Sequence, residues 1–123
     1  MSDNGSIKDV LAAKKAKVAE EEQRLKAHYE VVFKDRIMND IKSKLINDEY
    51  ECDVGKVNKI TIDSSIYLDK QNDDTHFFSL YAVIREQSMK SDVGGDFYIT
   101  LQSQENDDGT VVVKKSLTFK FTL

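Results

Sequence analysis

The stretch LKAHYEVVFKDRIMNDIKSKLI, residues Leu25 to Ile46, decides the fold. Side chains spaced three and four residues apart lie on one stripe of an α-helix. The large apolar side chains of this stretch follow that spacing, at Leu25, Tyr29, Val32, Phe33, Ile37, Ile41 and Leu45. The pattern predicts an amphipathic helix that needs an apolar surface to pack against.

The helix is predicted to begin well before this stretch. Residues 7–27 are rich in alanine, lysine and glutamate, which are strong helix formers. Ser6 is suited to cap the helix, with Asp9 three residues later as in a capping box. Because the chain contains no proline, we predict helix over 7–46, preceded by a disordered tail at 1–6.

The first half of this helix carries only a narrow apolar stripe, in which Leu11, Val18 and Leu25 are seven residues apart. A helix over 7–46 is about 60 Å long at 1.5 Å per residue, whereas a strand of ten residues spans only about 33 Å. The first half therefore projects as an arm, bends back, or packs against another copy. We favour an arm used for association, through Leu11, Val18, Glu21 and Leu25.

The charges of the arm are arranged in two blocks. Lys14, Lys15 and Lys17 precede the three glutamates at 20–22. Positive before negative charge opposes the helix dipole. Two such helices packed antiparallel would place the lysines of one beside the glutamates of the other, which favours a partner for this segment.

The chain after Tyr50 has the alternating pattern of β-strands. Asn106-Asp107-Asp108-Gly109 is a hairpin turn signal. Short connections predict an α+β domain (1–123) in which the helix covers a four-stranded antiparallel meander within 56–123, in the order α-β-β-β-β. The predicted strands are 58–68, 75–86, 96–104 and 110–123, with loops at 69–74 and 87–95.

This helix-then-sheet order resembles the layout of cystatin-like domains. The Gln-x-Val-x-Gly loop of the cystatin family is absent from the sequence. The resemblance is one of layout by analogy only, and it implies no function.

Composition indicates a charged globular protein: 40% of the residues are hydrophobic and 33% are charged. Residues 1–50 carry ten basic and ten acidic side chains and residues 51–123 carry eight and twelve, which gives the net charge of −4. An acidic balance disfavours nucleic acid as the ligand. No apolar run is long enough to span a membrane, and with no signal peptide we expect a cytoplasmic protein (host cytoplasm if viral).

Residues that commonly build catalytic or metal centres are sparse. His28 and His76 lie on different predicted elements, and Cys52 is the only cysteine. No spacing matches a zinc site, so we expect no metal and no cofactor. A third functional hypothesis is a small enzyme built around His76 and the acidic loops. It requires His76, Asp73 and another polar group to converge in a pocket.

Two acidic segments are the candidate partner-binding residues. In a meander they emerge from the same edge of the sheet, where they meet a basic partner or bind Ca²⁺; the alternative is that they are ordinary turn formers. The six residues are Asp69, Asp73, Asp74, Glu105, Asp107 and Asp108.

The sequence favours a small non-enzymatic accessory or inhibitory protein that binds another protein through its arm and acidic loops. Compact, acidic, proline-free chains of this length are common among accessory proteins of bacteria and their viruses. The alternative is a structural or assembly subunit, such as a virion component, that oligomerises through the N-terminal helix. For the first hypothesis we expect the partner to have a basic surface, towards which the acidic loops are steered electrostatically.

Overall fold

The predicted N-terminal helix is present in the computed structural model, which describes residues 6–52, 54–71, 73–90 and 92–123. The Ser6 hydroxyl oxygen accepts a hydrogen bond from the Asp9 amide at 3.1 Å, which confirms the predicted N-cap. The rest of the predicted tail, residues 1–5, lies outside the described residues. The helical stretch consists of α1 (Ile7–Val32), a π-helical turn (Phe33–Ile37) and α2 (Met38–Ile46).

In the described part of the chain, four strands form one antiparallel sheet, which confirms the predicted α+β class. They are β1 (Glu51–Cys52), β2 (Val57–Asp63), β3 (Gly95–Glu105) and β4 (Val111–Thr122). The order across the sheet is β1-β2-β4-β3, so β2 pairs with β4 rather than with the strand that follows it. The prediction of a meander was therefore wrong.

The predicted strand over 75–86 was also wrong, because this segment is the helix α3 (Asp74–Lys90). Its buried side chains are Phe77, Leu80, Val83 and Ile84, together with His76. This spacing follows the helical period. Aromatic and β-branched residues made the segment resemble a strand, but its 17 residues contain no glycine or proline. The element order is α-β-β-α-β-β, counting α1 and α2 as one helix, which removes the basis of the cystatin-like layout.

The first predicted strand ends early. β2 stops at Asp63, and the chain continues as a short 3₁₀ helix over Ser64–Tyr67. The Ser64 hydroxyl donates to the Lys115 carbonyl at 2.7 Å, which fixes this turn against β4. By contrast, the predicted hairpin turn is confirmed: the Gly109 amide donates to the Asn106 carbonyl at 3.0 Å, and Gly109 has a φ of 86°.

The core lies between one face of the sheet and the helices. The Phe33 ring of the π turn meets Phe97 of β3 at 5.4 Å between centroids, and Phe97 meets Phe119 of β4 at 4.7 Å. Two tyrosine hydroxyls form hydrogen bonds inside this core. Tyr29 bonds to His76 at 2.7 Å, and Tyr67 donates to Asp40 at 2.6 Å. The opposite face of the sheet is lined by threonine and lysine side chains, together with Tyr98.

No helix within the described ranges is both long and apolar enough to cross a lipid bilayer.

Candidate functional site

The first part of α1 lies outside the core. Every residue from Ser6 to Arg24 is exposed, and the first buried residue of α1 is Leu25, with 1% of its surface accessible. The exposed segment spans about 27 Å at 1.5 Å per residue. We refer to residues 7–24 as the arm.

An apolar stripe runs along the arm. Ile7, Leu11 and Val18 are 79%, 48% and 56% exposed. Seven residues make about two helical turns, so Leu11 and Val18 lie on the same side of α1 as the buried Leu25 and Val32. The stripe that packs on the core therefore continues beyond the core without being covered by the described part of the chain.

Leu25 was predicted to take part in association, and the structure corrects this point. Its side chain lies in the hydrophobic core of its own chain. The other residues predicted for the association surface, Leu11, Val18 and Glu21, are all exposed.

Charged side chains flank the apolar stripe. Glu21 forms a two-point ion pair with Arg24 one turn later, and the hydrogen bond from Arg24 holds the pKa of Glu21 below its usual value. Nearer the N-terminus, Val10, Ala13 and Lys14 border a shallow groove of about 340 Å³. The arm thus combines exposed apolar side chains with separate basic and acidic blocks.

The base of the arm meets a second exposed apolar residue. Phe78 of α3 is 63% exposed and borders a groove of about 490 Å³ with Glu22 and Lys26 of α1. The Lys26 ammonium pairs with Glu86 at 3.1 Å across this contact. Sequence reasoning missed Phe78 because it placed this segment in a strand.

The first acidic segment is tied to its own chain. The Asp69 carboxylate lies 2.9 Å from His28, and Asp74 lies 3.7 Å from the Lys115 ammonium. The Asp73 carboxylate accepts from the Thr75 amide at 2.9 Å, and this backbone hydrogen bond lowers the pKa of Asp73. Asp73 therefore caps α3, a structural role for one of the predicted binding residues.

The second acidic segment is the β3–β4 hairpin tip. The Asp108 carboxylate accepts from the Thr110 hydroxyl at 2.6 Å and from its amide at 3.0 Å, and these bonds lower the pKa of Asp108. Glu105 and Asp107 are exposed. Within the ranges that the structure describes, none of these three carboxylates forms an ion pair.

Both acidic segments were expected to be loops that join neighbouring strands at the same edge of the sheet. This expectation was wrong for the first segment. The first segment leads into α3, so it does not join two strands. Asp74 instead faces Lys115 and lies beside Lys114 in an open groove with Val112 and Val113. Among the described residues, no group of three or more histidine, cysteine, aspartate or glutamate side chains is arranged to hold a metal ion.

The enzyme hypothesis places His76 and Asp73 at its centre, and both side chains have structural partners in the described part of the chain. The His76 side chain is buried, and its Nδ1 atom is hydrogen-bonded to the Tyr29 hydroxyl. Asp73 directs its carboxylate to the backbone at the start of α3. Cys52 is exposed on the two-residue edge strand β1.

In comparisons with known proteins, the chain matches no family model, no curated protein and no solved structure.

Proposed function

We propose that this chain is a small non-enzymatic accessory protein, inhibitory in its effect, that acts by binding another protein through its arm. One observation carries the proposal: the helix stripe that packs on the core at Leu25 continues along the arm through Val18, Leu11 and Ile7, where it is exposed. Apolar side chains in a row on a projecting helix are suited to a hydrophobic groove or to another helix.

The base of the arm supports the same proposal. Phe78 of α3 is a further exposed apolar residue, and it lies beside the base of the arm. Glu22, Lys26 and Glu86 surround Phe78 with charge. An apolar centre with a charged rim is the common anatomy of a protein interface.

The hairpin tip adds an acidic element to the proposed surface. Glu105, Asp107 and Asp108 lack basic partners in the described part of the chain, whereas Asp69 and Asp74 have such partners. A basic region on the partner protein suits the hairpin tip, since unpaired carboxylates speed and orient association at low salt. Of the six predicted acidic residues we therefore retain the three of the hairpin tip, because Asp69 and Asp74 are paired and Asp73 caps α3.

A matched pair of variants tests the role of the arm. Val18 and Val31 lie on the same helix and are 56% and 57% exposed, but Val31 lies on the side opposite the stripe. The full chain, Val18→Glu and Val31→Glu serve as bait in extracts of the source cell, and captured proteins are measured by quantitative mass spectrometry. We expect a partner that is retained by Val31→Glu and lost by Val18→Glu. A partner held equally by both variants would overturn the proposal.

The charge order of the arm favours an assembly subunit as the second candidate. Lys14 and Glu21 are seven residues apart on one flank of the stripe, and Lys15 and Glu22 are seven apart on the other. In an antiparallel pair of arms centred near Val18, each lysine faces a glutamate of the other copy. Sedimentation of the purified chain separates the candidates: assembly predicts an oligomer that Val18→Glu dissociates and Val31→Glu does not.

A further inference from the structure

The edge strand β3 is long and lacks the lysine and proline residues that commonly protect a sheet edge. It has 11 residues, pairs with β4 on one side, and no described strand lies on its other side. Edge strands are usually short or carry lysine or proline, which discourage pairing with another chain. β3 contains no lysine, arginine or proline, while the inner strands carry Lys59, Lys114, Lys115 and Lys120. The opposite edge, β1, has only two residues.

The sequence of β3 is complementary to itself in the antiparallel direction. When two copies pair about Thr100, the midpoint of the strand, Asp96 lies opposite Gln104 and Glu105 lies opposite Gly95. No like charges then face each other, and Ile99 lies opposite Leu101. A parallel pair would place Asp96 against Asp96 and Glu105 against Glu105, which is unfavourable.

The packing along β3 complements this register. Gly95, Phe97 and Ile99 are half-buried beneath the helices, whereas Leu101, which follows on the same face, is 57% exposed. Beside Phe97 and Ile99 lies an open groove of about 270 Å³ that is bordered by Tyr81 and Ile84 of α3. The antiparallel register brings Leu101 of one copy next to Ile99 of the other, at this groove.

We propose that β3 is a self-association edge, at which a second copy of this chain adds its own β3 antiparallel about Thr100. The product is a symmetric dimer with one continuous eight-stranded sheet, and both sets of helices lie on the same face. Main-chain hydrogen bonds along the edge provide the affinity, and Leu101 in the partner groove fixes the register. This surface is separate from the arm.

The symmetry of the register gives a charge-swap test. Thr100 is exposed. In the proposed dimer it faces Thr100 of the second copy across the two-fold axis. Thr100→Lys alone, and Thr100→Glu alone, place like charges about 5 Å apart between Cβ atoms and weaken dimerisation by roughly tenfold or more. An equimolar mixture of the two variants restores the dimer as a heterodimer. Analytical ultracentrifugation measures all three samples, and circular dichroism confirms that each variant folds.

Two controls give the result its specificity. Thr61→Lys makes the same change at an exposed position of the same sheet face, on the inner strand β2, and leaves the dimer intact. Val18→Glu in the arm also leaves it intact, which separates this dimer from any arm-mediated assembly. A wild-type chain that stays monomeric at high concentration would overturn the proposal, as would a dimer that survives Thr100→Lys or is lost equally in Thr61→Lys.

A cross-link tests the register even if the charged variants fold poorly. Opposed residues in an antiparallel pair have Cα atoms about 4.5–5.5 Å apart, within the range that a disulfide spans. Thr100→Cys in a Cys52→Ser background should give a covalent dimer on mild oxidation. Thr61→Cys in the same background should remain monomeric, and equal cross-linking of the two variants would refute the register.

Discussion

Leu11 and Leu25 provide a direct test of where the core ends along α1. They share one side of the helix, two heptads apart, but Leu11 is 48% exposed and Leu25 is 1% exposed. Truncation of a leucine to alanine removes three carbon atoms, about 2.4 kcal/mol when each buried methylene contributes about 0.8 kcal/mol. The residual cavity raises the cost of Leu25→Ala to about 3 kcal/mol, near the lower end of the range for buried leucines because the site lies where the arm leaves the core.

The same truncation at Leu11 should change stability by less than about 0.5 kcal/mol, because the site is exposed and alanine is an excellent helix former. Urea unfolding followed by circular dichroism gives both free energies of unfolding. At roughly 4 °C per kcal/mol for a domain of this size, Leu25→Ala also lowers the Tm by about 12 °C. Both variants are measured across a wide range of protein concentration.

Equal destabilisation by the two substitutions in a monomeric sample would refute the assignment of residues 7–24 as an uncovered arm. Equal destabilisation that appears only at high concentration would instead show that Leu11 becomes buried in an oligomer. The concentration series separates these two results.

Three further predictions follow from particular contacts. Tyr67→Phe removes the hydrogen bond to Asp40 and should cost about 1–2 kcal/mol in urea unfolding, since hydrogen bonds to charged groups are worth more than neutral ones; Tyr50→Phe, which keeps its ring contact with Phe121, is the control and should be near neutral. Burial and the Asp40 contact raise the pKa of Tyr67 above its unfolded value near 10. The wild-type free energy of unfolding is therefore fully maintained below about pH 10 and falls as the pH rises towards the folded pKa; Tyr67→Phe should reduce this loss, and an unchanged pH profile would contradict it. Gly95→Ala should cost about 1–3 kcal/mol by overpacking, because the added Cβ would lie 2.7 Å from the Phe119 ring and against the Lys120 carbonyl oxygen; Gly109→Asn, in an open turn with positive φ, should be tolerated.

The periodic parts of the fold were predictable from the sequence. The helix over 7–46, the hairpin at Asn106–Gly109 and the two long strands all follow strong local signals. α3 was missed because Phe77, Tyr81 and Val83 also fit an alternating pattern, and tertiary packing decides between the two. The stronger helical evidence was the length of the segment and the Asp73 cap at its start.

The sheet order could not be obtained from local patterns. Placing β2 beside β4 depends on α3 carrying the chain across the sheet, so missing α3 also produced the wrong topology. The same error hid the edge position of β3, the exposed Phe78, and the groove between α3 and β3. The arm was predictable because the helix is longer than the strands that it can cover. The burial of Leu25 was not predictable, because Leu11, Val18 and Leu25 share the same spacing in the sequence.

Hydrogen–deuterium exchange at a protein concentration where sedimentation gives a monomer tests the central claim most directly. The backbone amides of residues 10–24 should exchange close to the rate of an isolated, marginally stable helix, while those of residues 29–46 should be protected by orders of magnitude more. Equal strong protection along both segments in the monomer would contradict an uncovered arm.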